Sequence, residues 1–96
     1  MKHTLENKVL TLYLEGELNS FTSKEAEKEI DAAMSGQAIE KAILDMEKLA
    51  YISSAGLRII VRIKQRVPDT VIVHVPKGVN DIFKMVGFGN VVKIEG

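Results

Sequence analysis

The segment Ser53-Ser54-Ala55-Gly56 holds the residues of this chain that are best placed for chemistry. The apolar residues after it recur at helical spacing, which predicts a helix that begins near Ser54. A serine hydroxyl at that position can cap free backbone N–H groups, and a phosphate added to it would be stabilised by the same amides and by the helix dipole. The spacing allows both interpretations. Gly56 carries no side chain, so we expect it to let a phosphate or another protein's backbone approach.

Histidine, the usual general base, does not complete a catalytic set in this sequence. Neither His3 nor His74 has an obvious paired carboxylate nearby in the sequence, and the chain has no cysteine, so no triad or metal site is predicted. His74 is interpreted as a surface histidine or a hydrogen-bonded core histidine. The segment Gly87-Phe88-Gly89 follows a predicted helix and indicates a helix end rather than a phosphate loop. We therefore expect no catalytic residues, no metal and no cofactor.

Composition and charge exclude several classes of partner. The 96 residues include 13 Lys and Arg and 13 Asp and Glu, so there is no net positive charge to attract nucleic acid. No apolar run approaches the roughly 18 residues that span a bilayer, so membrane insertion is not expected. The N-terminal residues show no apolar signal core, which predicts a cytoplasmic protein.

Hydrophobic periodicity predicts the elements that must position the serines. In chain order they are a hairpin over residues 1–15 with a turn at Asn7-Lys8, a helix from about Thr22 to Ser35-Gly36, a strand over 41–46, a helix from Ser54 to Pro68, a strand over 70–75, a helix over 80–86 and a strand over 91–95. This β-β-α-β-α-β-α-β order predicts one α/β domain over residues 1–96, with a mixed sheet packed against helices.

Several details of these elements bear on the site. Thr22 and Glu25 have the spacing of a capping box, with Phe21 as a hydrophobic staple against Ala26. The apolar strand over 41–46 is expected to be central and covered on both faces. Functional loops collect at the carboxyl ends of parallel strands, and the candidates are residues 17–21 and 47–53.

Three arginines, Arg58, Arg62 and Arg66, follow one another at four-residue spacing on the second predicted helix. This spacing places them in one stripe along the helix. The stripe is interpreted as either a solvated face or a docking face.

Three segments together resemble a known family. The residues Leu44-Asp45-Met46, followed by the segment from Tyr51 to Arg58, resemble the signature of the STAS domain, the fold of bacterial anti-sigma factor antagonists. Gly16-Glu17-Leu18-Asn19 resembles the Gly-Glu-Leu-Asp that follows the second strand in that family. Residues 82–87 resemble its short third helix, so the resemblance covers nearly the whole chain.

The resemblance implies a phosphorylation-switched binding protein rather than an enzyme. In the family, the serine matched by Ser54 is phosphorylated by an anti-sigma factor that is also a serine kinase. The unphosphorylated protein binds that kinase and frees a sigma factor, and a serine phosphatase restores the binding form. The implied partner-binding residues are Asn19, Ser20, Phe21, Ser53, Ser54, Gly56, Leu57 and Arg58.

Two residues depart from the family pattern. Ser53 replaces the acidic residue that commonly precedes the phosphorylated serine, and Asn19 replaces an aspartate. The sequence also ends about where family members often add a last helix, and we expect a homodimer or a partner to cover the part of the sheet or of the third helix that is left less covered. An alternative hypothesis is therefore a STAS subunit of another assembly, such as a lipid-transport ATPase complex or a signalling complex, that docks without phosphorylation. An enzyme is the third interpretation.

Overall fold

A five-stranded mixed sheet forms the centre of the computed structural model, which describes residues 1–96. The elements in chain order are β1 (Lys2–Glu6), β2 (Val9–Leu18), α1 (Ser23–Met34), β3 (Lys41–Ile52), α2 (Ser54–Arg66), β4 (Thr70–Val73), α3 (Lys77–Met85), a 3-10 helix (Phe88–Asn90) and β5 (Lys93–Glu95). Neighbours in the sheet follow the order β1-β2-β3-β4-β5, with β1 antiparallel to β2 and all other pairs parallel. The predicted α/β fold and its element order are confirmed.

The hairpin turn is the one that the sequence indicates. Asn7 and Lys8 both have positive φ, 51° and 65°, as a two-residue type I′ turn requires. The turn fixes the register in which Glu6 lies opposite Val9 and Lys2 opposite Tyr13. β1 consequently ends its pairing at Tyr13, five residues before β2 ends.

All three helices lie on one face of the sheet. From β2 to β5, each parallel strand lies next to the one before it, so the chain always moves in the same direction across the sheet. Because each crossover between parallel strands is right-handed, every connecting helix lies on the same side. The buried residues of that face join one core with α1, α2 and α3; they include Leu10, Leu12, Leu14, Ala42, Leu44 and Ile72.

The opposite face of the sheet carries no helix, so the expectation that the central strand is covered on both faces is wrong. On β3, Ala42 and Leu44 are fully buried in the core, whereas Ile43 between them is only half-buried and lies outside the core. Neighbouring residues of the same face, Val9 and Tyr13, are also half-buried. The apolar run of β3 therefore belongs to a sheet that helices cover on one face only.

β3 is twice as long as predicted, and its second half contains two bulges. Its pairing with β2 shifts register between Tyr13 and Glu15 and again between Gly16 and Glu17. Each shift places an extra residue in β3, so the spacing between its buried residues changes from two to three. The buried residues at the wider spacing are Met46, Leu49 and Ile52. The predicted loop over 47–53 is therefore strand as far as Ile52.

The start of α1 differs from the predicted capping box. Thr22 has helical backbone angles and makes no side-chain cap hydrogen bond. Phe21 is 92% exposed, so it does not act as a staple against Ala26. The Thr22 hydroxyl is instead engaged in the loop that precedes the helix.

Near the C-terminal end, three boundaries differ from prediction. β4 ends at Val73 because His74 takes a left-handed φ of 55°. α3 begins at Lys77, and Gly87 (φ 66°) ends it as predicted. The last strand begins at Lys93 rather than at residue 91, because residues 91 and 92 form a turn. The 3-10 helix lies in the predicted turn before them, and its Phe88 ring stacks on Phe83 with 5.2 Å between ring centroids. No helix of the protein has the length and apolar character needed to cross a membrane.

Candidate functional site

The carboxyl ends of β2 and β3 bring the two predicted halves of the site together. Leu18 pairs with Ile52 at the end of both strands, and the Ser53 N–H donates to the Leu18 carbonyl oxygen at 2.9 Å. The loop that begins at Asn19 and the helix that begins at Ser54 therefore leave the sheet side by side.

Ser54 is the first residue of α2, and its side chain is exposed. The first helical hydrogen bond runs from the Leu57 N–H to the Ser53 carbonyl oxygen at 2.9 Å, so the amides before Leu57 have no acceptor within the helix. The first turn also contains no acidic residue. An anion on the Ser54 hydroxyl would therefore meet free amides and the positive end of the helix dipole.

Ser53 occupies the N-cap position with an extended backbone, but its hydroxyl does not cap the helix. Its Oγ is buried and has no hydrogen-bond partner. The helix-cap interpretation of the two serines is therefore not realised by either hydroxyl. The unused amides at the start of α2 remain open to another group.

Gly56 is buried, and the space beside it is filled by the protein itself. A β-carbon at Gly56 would lie 2.7 Å from Cγ1 of Ile52 and 2.9 Å from the Leu18 carbonyl oxygen. The expectation that Gly56 opens room for a partner is therefore wrong. The absence of a side chain instead lets the start of α2 pack directly on the ends of β2 and β3.

Asn19 builds the loop between β2 and α1. Its Oδ1 accepts hydrogen bonds from the N–H groups of Phe21 at 2.8 Å and Thr22 at 3.0 Å, which is an Asx turn. Its Nδ2 donates to the Glu17 carboxylate at 3.2 Å. An aspartate could make the turn but could not donate to Glu17, which gives a physical reason for the asparagine at this position.

Thr22 closes the same loop from the other side. Its hydroxyl oxygen accepts from the Asn19 N–H at 2.9 Å, and its O–H donates to the Glu17 carbonyl oxygen at 2.8 Å. These two bonds hold Ser20 and Phe21 at the tip of the loop, where both are exposed.

We use the name Ser54 surface for the exposed and half-buried members of the predicted set. Its residues are Asn19, Ser20, Phe21, Ser53, Ser54, Leu57 and Arg58. The prediction omitted Tyr51, which is 45% exposed and lies opposite Glu17 at the same end of the sheet. Tyr51 could have been assigned to this surface only if β3 had been predicted to continue to Ile52. The polar pair Glu47-Lys48 hides that continuation in the sequence.

The arginine stripe on α2 divides into two parts. The Arg62 guanidinium forms an ion pair with Glu27, and that of Arg66 pairs with Asp31 at 2.9 Å, so both fasten α2 to α1. Arg58 is exposed and forms no ion pair. Arg58 is therefore the member of the stripe that is free to meet another molecule.

His74 has a carboxylate partner that lies far away in the sequence. Its Nδ1 lies 3.0 Å from Oδ2 of Asp45, whose Oδ1 accepts from the Glu47 N–H, also at 3.0 Å. The pair lies beside the uncovered face of the sheet, and it tethers the segment after β4 to β3. No group of three His, Asp or Glu side chains is arranged to hold a metal ion.

Comparison with known proteins gives a consistent result. The family model described as the STAS domain matches residues 2–96. BtrV of Bordetella bronchiseptica has been assigned as an anti-sigma factor antagonist, and it is 31% identical to this chain over 94 residues. The match covers 92% of this chain and 80% of BtrV.

Solved structures show the same fold at lower identity. TM1081 of Thermotoga maritima has a TM-score of 0.85 at 20% identity, over 97% of this chain and 83% of that one. The unphosphorylated form of the anti-sigma factor antagonist SpoIIAA has a TM-score of 0.76 at 19% identity, over 99% and 89%. The phosphorylated form of SpoIIAA from Bacillus has a TM-score of 0.66 at 18% identity, over 99% and 92%.

Proposed function

Because the chain belongs to the STAS domain family, we propose that it is an anti-sigma factor antagonist, which binds an anti-sigma factor and so frees a sigma factor. The observation that carries this proposal is the 31% identity to BtrV over nearly the whole chain. Binding is then the whole activity of the protein. The role places it in the cytoplasm with the sigma factor.

Phosphorylation of Ser54 by the anti-sigma factor, acting as a serine kinase, is the proposed switch. The exposed hydroxyl, the free amides of the first turn of α2 and the absence of a nearby acidic residue in that turn support Ser54 as the acceptor. The unpaired Arg58 adds a positive charge to the same surface. A serine phosphatase would return the protein to its binding form.

The switch acts in the interface rather than in the fold. A phosphate at Ser54 adds about −1.5 to −2 charges where helix amides can accept them, so the folded domain tolerates it. A partner whose surface fits the neutral hydroxyl offers no counter-ion of its own, so it would have to bury this charge at a cost. The phosphorylated protein is therefore released.

The two departures from the family pattern fit this surface in different ways. Asn19 has a structural task, since its amide bridges the loop to Glu17. Ser53 has a buried hydroxyl without a hydrogen-bond partner, so a carboxylate at this position would have to lie partly buried. Both changes reduce the negative charge around Ser54.

A second candidate is a STAS subunit of another assembly that docks through the same surface without phosphorylation. The observation that favours it is the absence of a carboxylate at position 53, because a kinase would lose a contact that it could make next to Ser54. Such a subunit would bind a transporter ATPase or a signalling complex rather than a kinase.

Affinity capture from the native cells separates the two candidates. Recovery of an anti-sigma factor with a kinase domain supports the antagonist role, and recovery of a transporter ATPase supports the other assembly. Intact-mass analysis of the protein from the same cells, with the modified residue mapped by fragmentation, tests the switch. One phosphate on Ser54, absent from a Ser54→Ala strain, is the expected result.

A further inference from the structure

β1 forms one edge of the sheet, and no strand pairs with its outer side. The strand runs from Lys2 to Glu6, and its only neighbour in the sheet is β2. None of its residues has a positive φ, and outside the pairing with β2 none of them makes a backbone hydrogen bond. The outer side of β1 is therefore a regular, extended edge that another strand can join.

The hairpin turn decides which backbone groups of β1 point outward. The residues on either side of a two-residue turn form a hydrogen-bonded pair, and here these residues are Glu6 and Val9. Bonded pairs alternate along an antiparallel ladder, so the N–H and C=O groups of His3 and Leu5 point toward the outer edge. Thr4, at the centre of the strand, directs its backbone groups inward to β2.

The charges of β1 are arranged symmetrically about Thr4. Lys2 lies two residues before Thr4, and Glu6 lies two residues after it. Because Lys2 pairs with Tyr13 and Glu6 with Val9, these side chains lie on the uncovered face of the sheet. Both charged side chains are exposed, and neither forms an ion pair within the protein.

A second β1, antiparallel to the first with the two Thr4 residues opposite each other, satisfies all of these groups. Lys2 of each copy then faces Glu6 of the other, which gives two cross-strand pairs of opposite charge. His3 of each copy exchanges backbone hydrogen bonds with Leu5 of the other, so the outward groups find partners. Moving the register by two residues in either direction would remove both charge pairs.

On the helix side of the sheet, a groove of about 430 Å³ lies between β1 and α1. Its lining includes Leu5 and Ala33, which are both half-buried. A two-fold axis that passes between the two Thr4 residues, perpendicular to the sheet, keeps the helices of both copies on the same face. The two grooves would then adjoin at the shared edge, and their apolar side chains would lose contact with water.

We propose that the partner of the β1 edge is a second copy of this chain, so that two domains form one continuous sheet through antiparallel pairing of their β1 strands. The strand is short, so we expect a weak dimer with a dissociation constant in the micromolar to millimolar range. The pairing of β1 with β2 ends at Tyr13, so the Ser54 surface, which begins at Asn19, stays open in both copies. The proposal does not depend on the antagonist role.

Charge-reversal variants test both the pairing and its register. Lys2→Glu and Glu6→Lys each place like charges opposite one another twice in the dimer, so each should raise the dissociation constant by about tenfold or more. The double variant Lys2→Glu/Glu6→Lys exchanges the two charges and should dimerise like the wild type. An equimolar mixture of the two single variants should form a heterodimer, because each chain offers the charges that the other lacks.

Sedimentation equilibrium up to about 1 mM protein measures these dissociation constants. Lys84→Glu is the matched control, because this lysine on α3 is also exposed and forms no ion pair. Lys84→Glu and Ser54→Asp should dimerise like the wild type. Thermal melts of the single variants at low concentration should match the wild type, because the exchanged side chains are exposed.

Amide hydrogen exchange gives an independent measure of the backbone pairing. The amides of His3 and Leu5 should become protected at concentrations where the chain is dimeric, because they gain acceptors from the second copy. The proposal is overturned if the wild type stays monomeric up to about 1 mM, or if these two amides stay unprotected in the dimer. It is also overturned if the single variants dimerise as tightly as the wild type, or if their mixture does not associate.

Discussion

Gly56 lies so close to Leu18 that a β-carbon on the glycine would be 2.9 Å from both Cγ and the carbonyl oxygen of the leucine. That carbonyl oxygen also accepts the Ser53 N–H. The contact sets how far Ser54 projects beyond the sheet, because it holds the start of α2 against the end of β2. The position of the proposed switch residue thus depends on a glycine two residues away.

Replacing Gly56 with alanine should therefore destabilise the fold. Overpacking of this kind costs about 1–3 kcal/mol, which exceeds the gain of up to about 1 kcal/mol in helix propensity. Gly78→Ala in α3 is the matched control, because a β-carbon there meets no atom within 4 Å. Urea unfolding should show a loss for Gly56→Ala and none for Gly78→Ala; equal stabilities would refute the close packing.

Asn19→Asp should lower stability although it restores the residue type of the family. The aspartate would lose the donation to Glu17 and would face its carboxylate, at a cost of roughly 0.5–1 kcal/mol. Adding Glu17→Gln should recover most of the loss, since the glutamine amide can donate to the aspartate. A double-mutant cycle measures this coupling, and additive effects would show that the Asn19–Glu17 bond is unimportant.

His74 should tolerate glycine better than alanine. Both substitutions remove the contact with Asp45, but only alanine keeps a side chain at a φ of 55°. The left-handed conformation costs a non-glycine residue about 1–2 kcal/mol, so His74→Gly should be about 1 kcal/mol more stable than His74→Ala. Thermal unfolding of the two variants decides it, and equal melting temperatures would argue against backbone strain at this position.

Arg58→Glu should weaken binding of the anti-sigma factor and leave the fold nearly unchanged, because an exposed charge swap usually changes stability by less than about 0.5 kcal/mol. Arg66→Glu, eight residues along the same helix, should keep the affinity and lower the stability slightly, by at most about 1 kcal/mol, because its ion pair is exposed. It breaks the ion pair with Asp31 but lies away from the Ser54 surface. Binding and melting experiments on both variants test the footprint; unchanged affinity in Arg58→Glu would show that it is misplaced.

The start of α2 could be predicted from the sequence because its signals are local. The apolar spacing after Ser54 is helical, and Pro68 ends the helix. The hairpin turn at Asn7-Lys8 is local in the same way.

Features that depend on distant partners were missed. The length of β3 could not be predicted, since its two bulges exist only in the pairing with β2 and break the alternation of apolar residues. The Thr22 hydroxyl was predicted to cap α1, but it is held by Glu17 and Asn19 in the preceding loop. Asp45 could not be recognised as the partner of His74, because 29 residues separate the two.

The most direct test of the proposed switch is calorimetric titration of the captured anti-sigma factor with wild-type protein, Ser54→Ala and Ser54→Asp. The account predicts that Ser54→Ala binds like the wild type and that Ser54→Asp keeps its melting temperature. Burial of an unpaired charge costs several kcal/mol, so Ser54→Asp should lose affinity by a factor on the order of a thousand. Undiminished affinity in Ser54→Asp, or a collapsed fold, would contradict the proposal that Ser54 switches the interface.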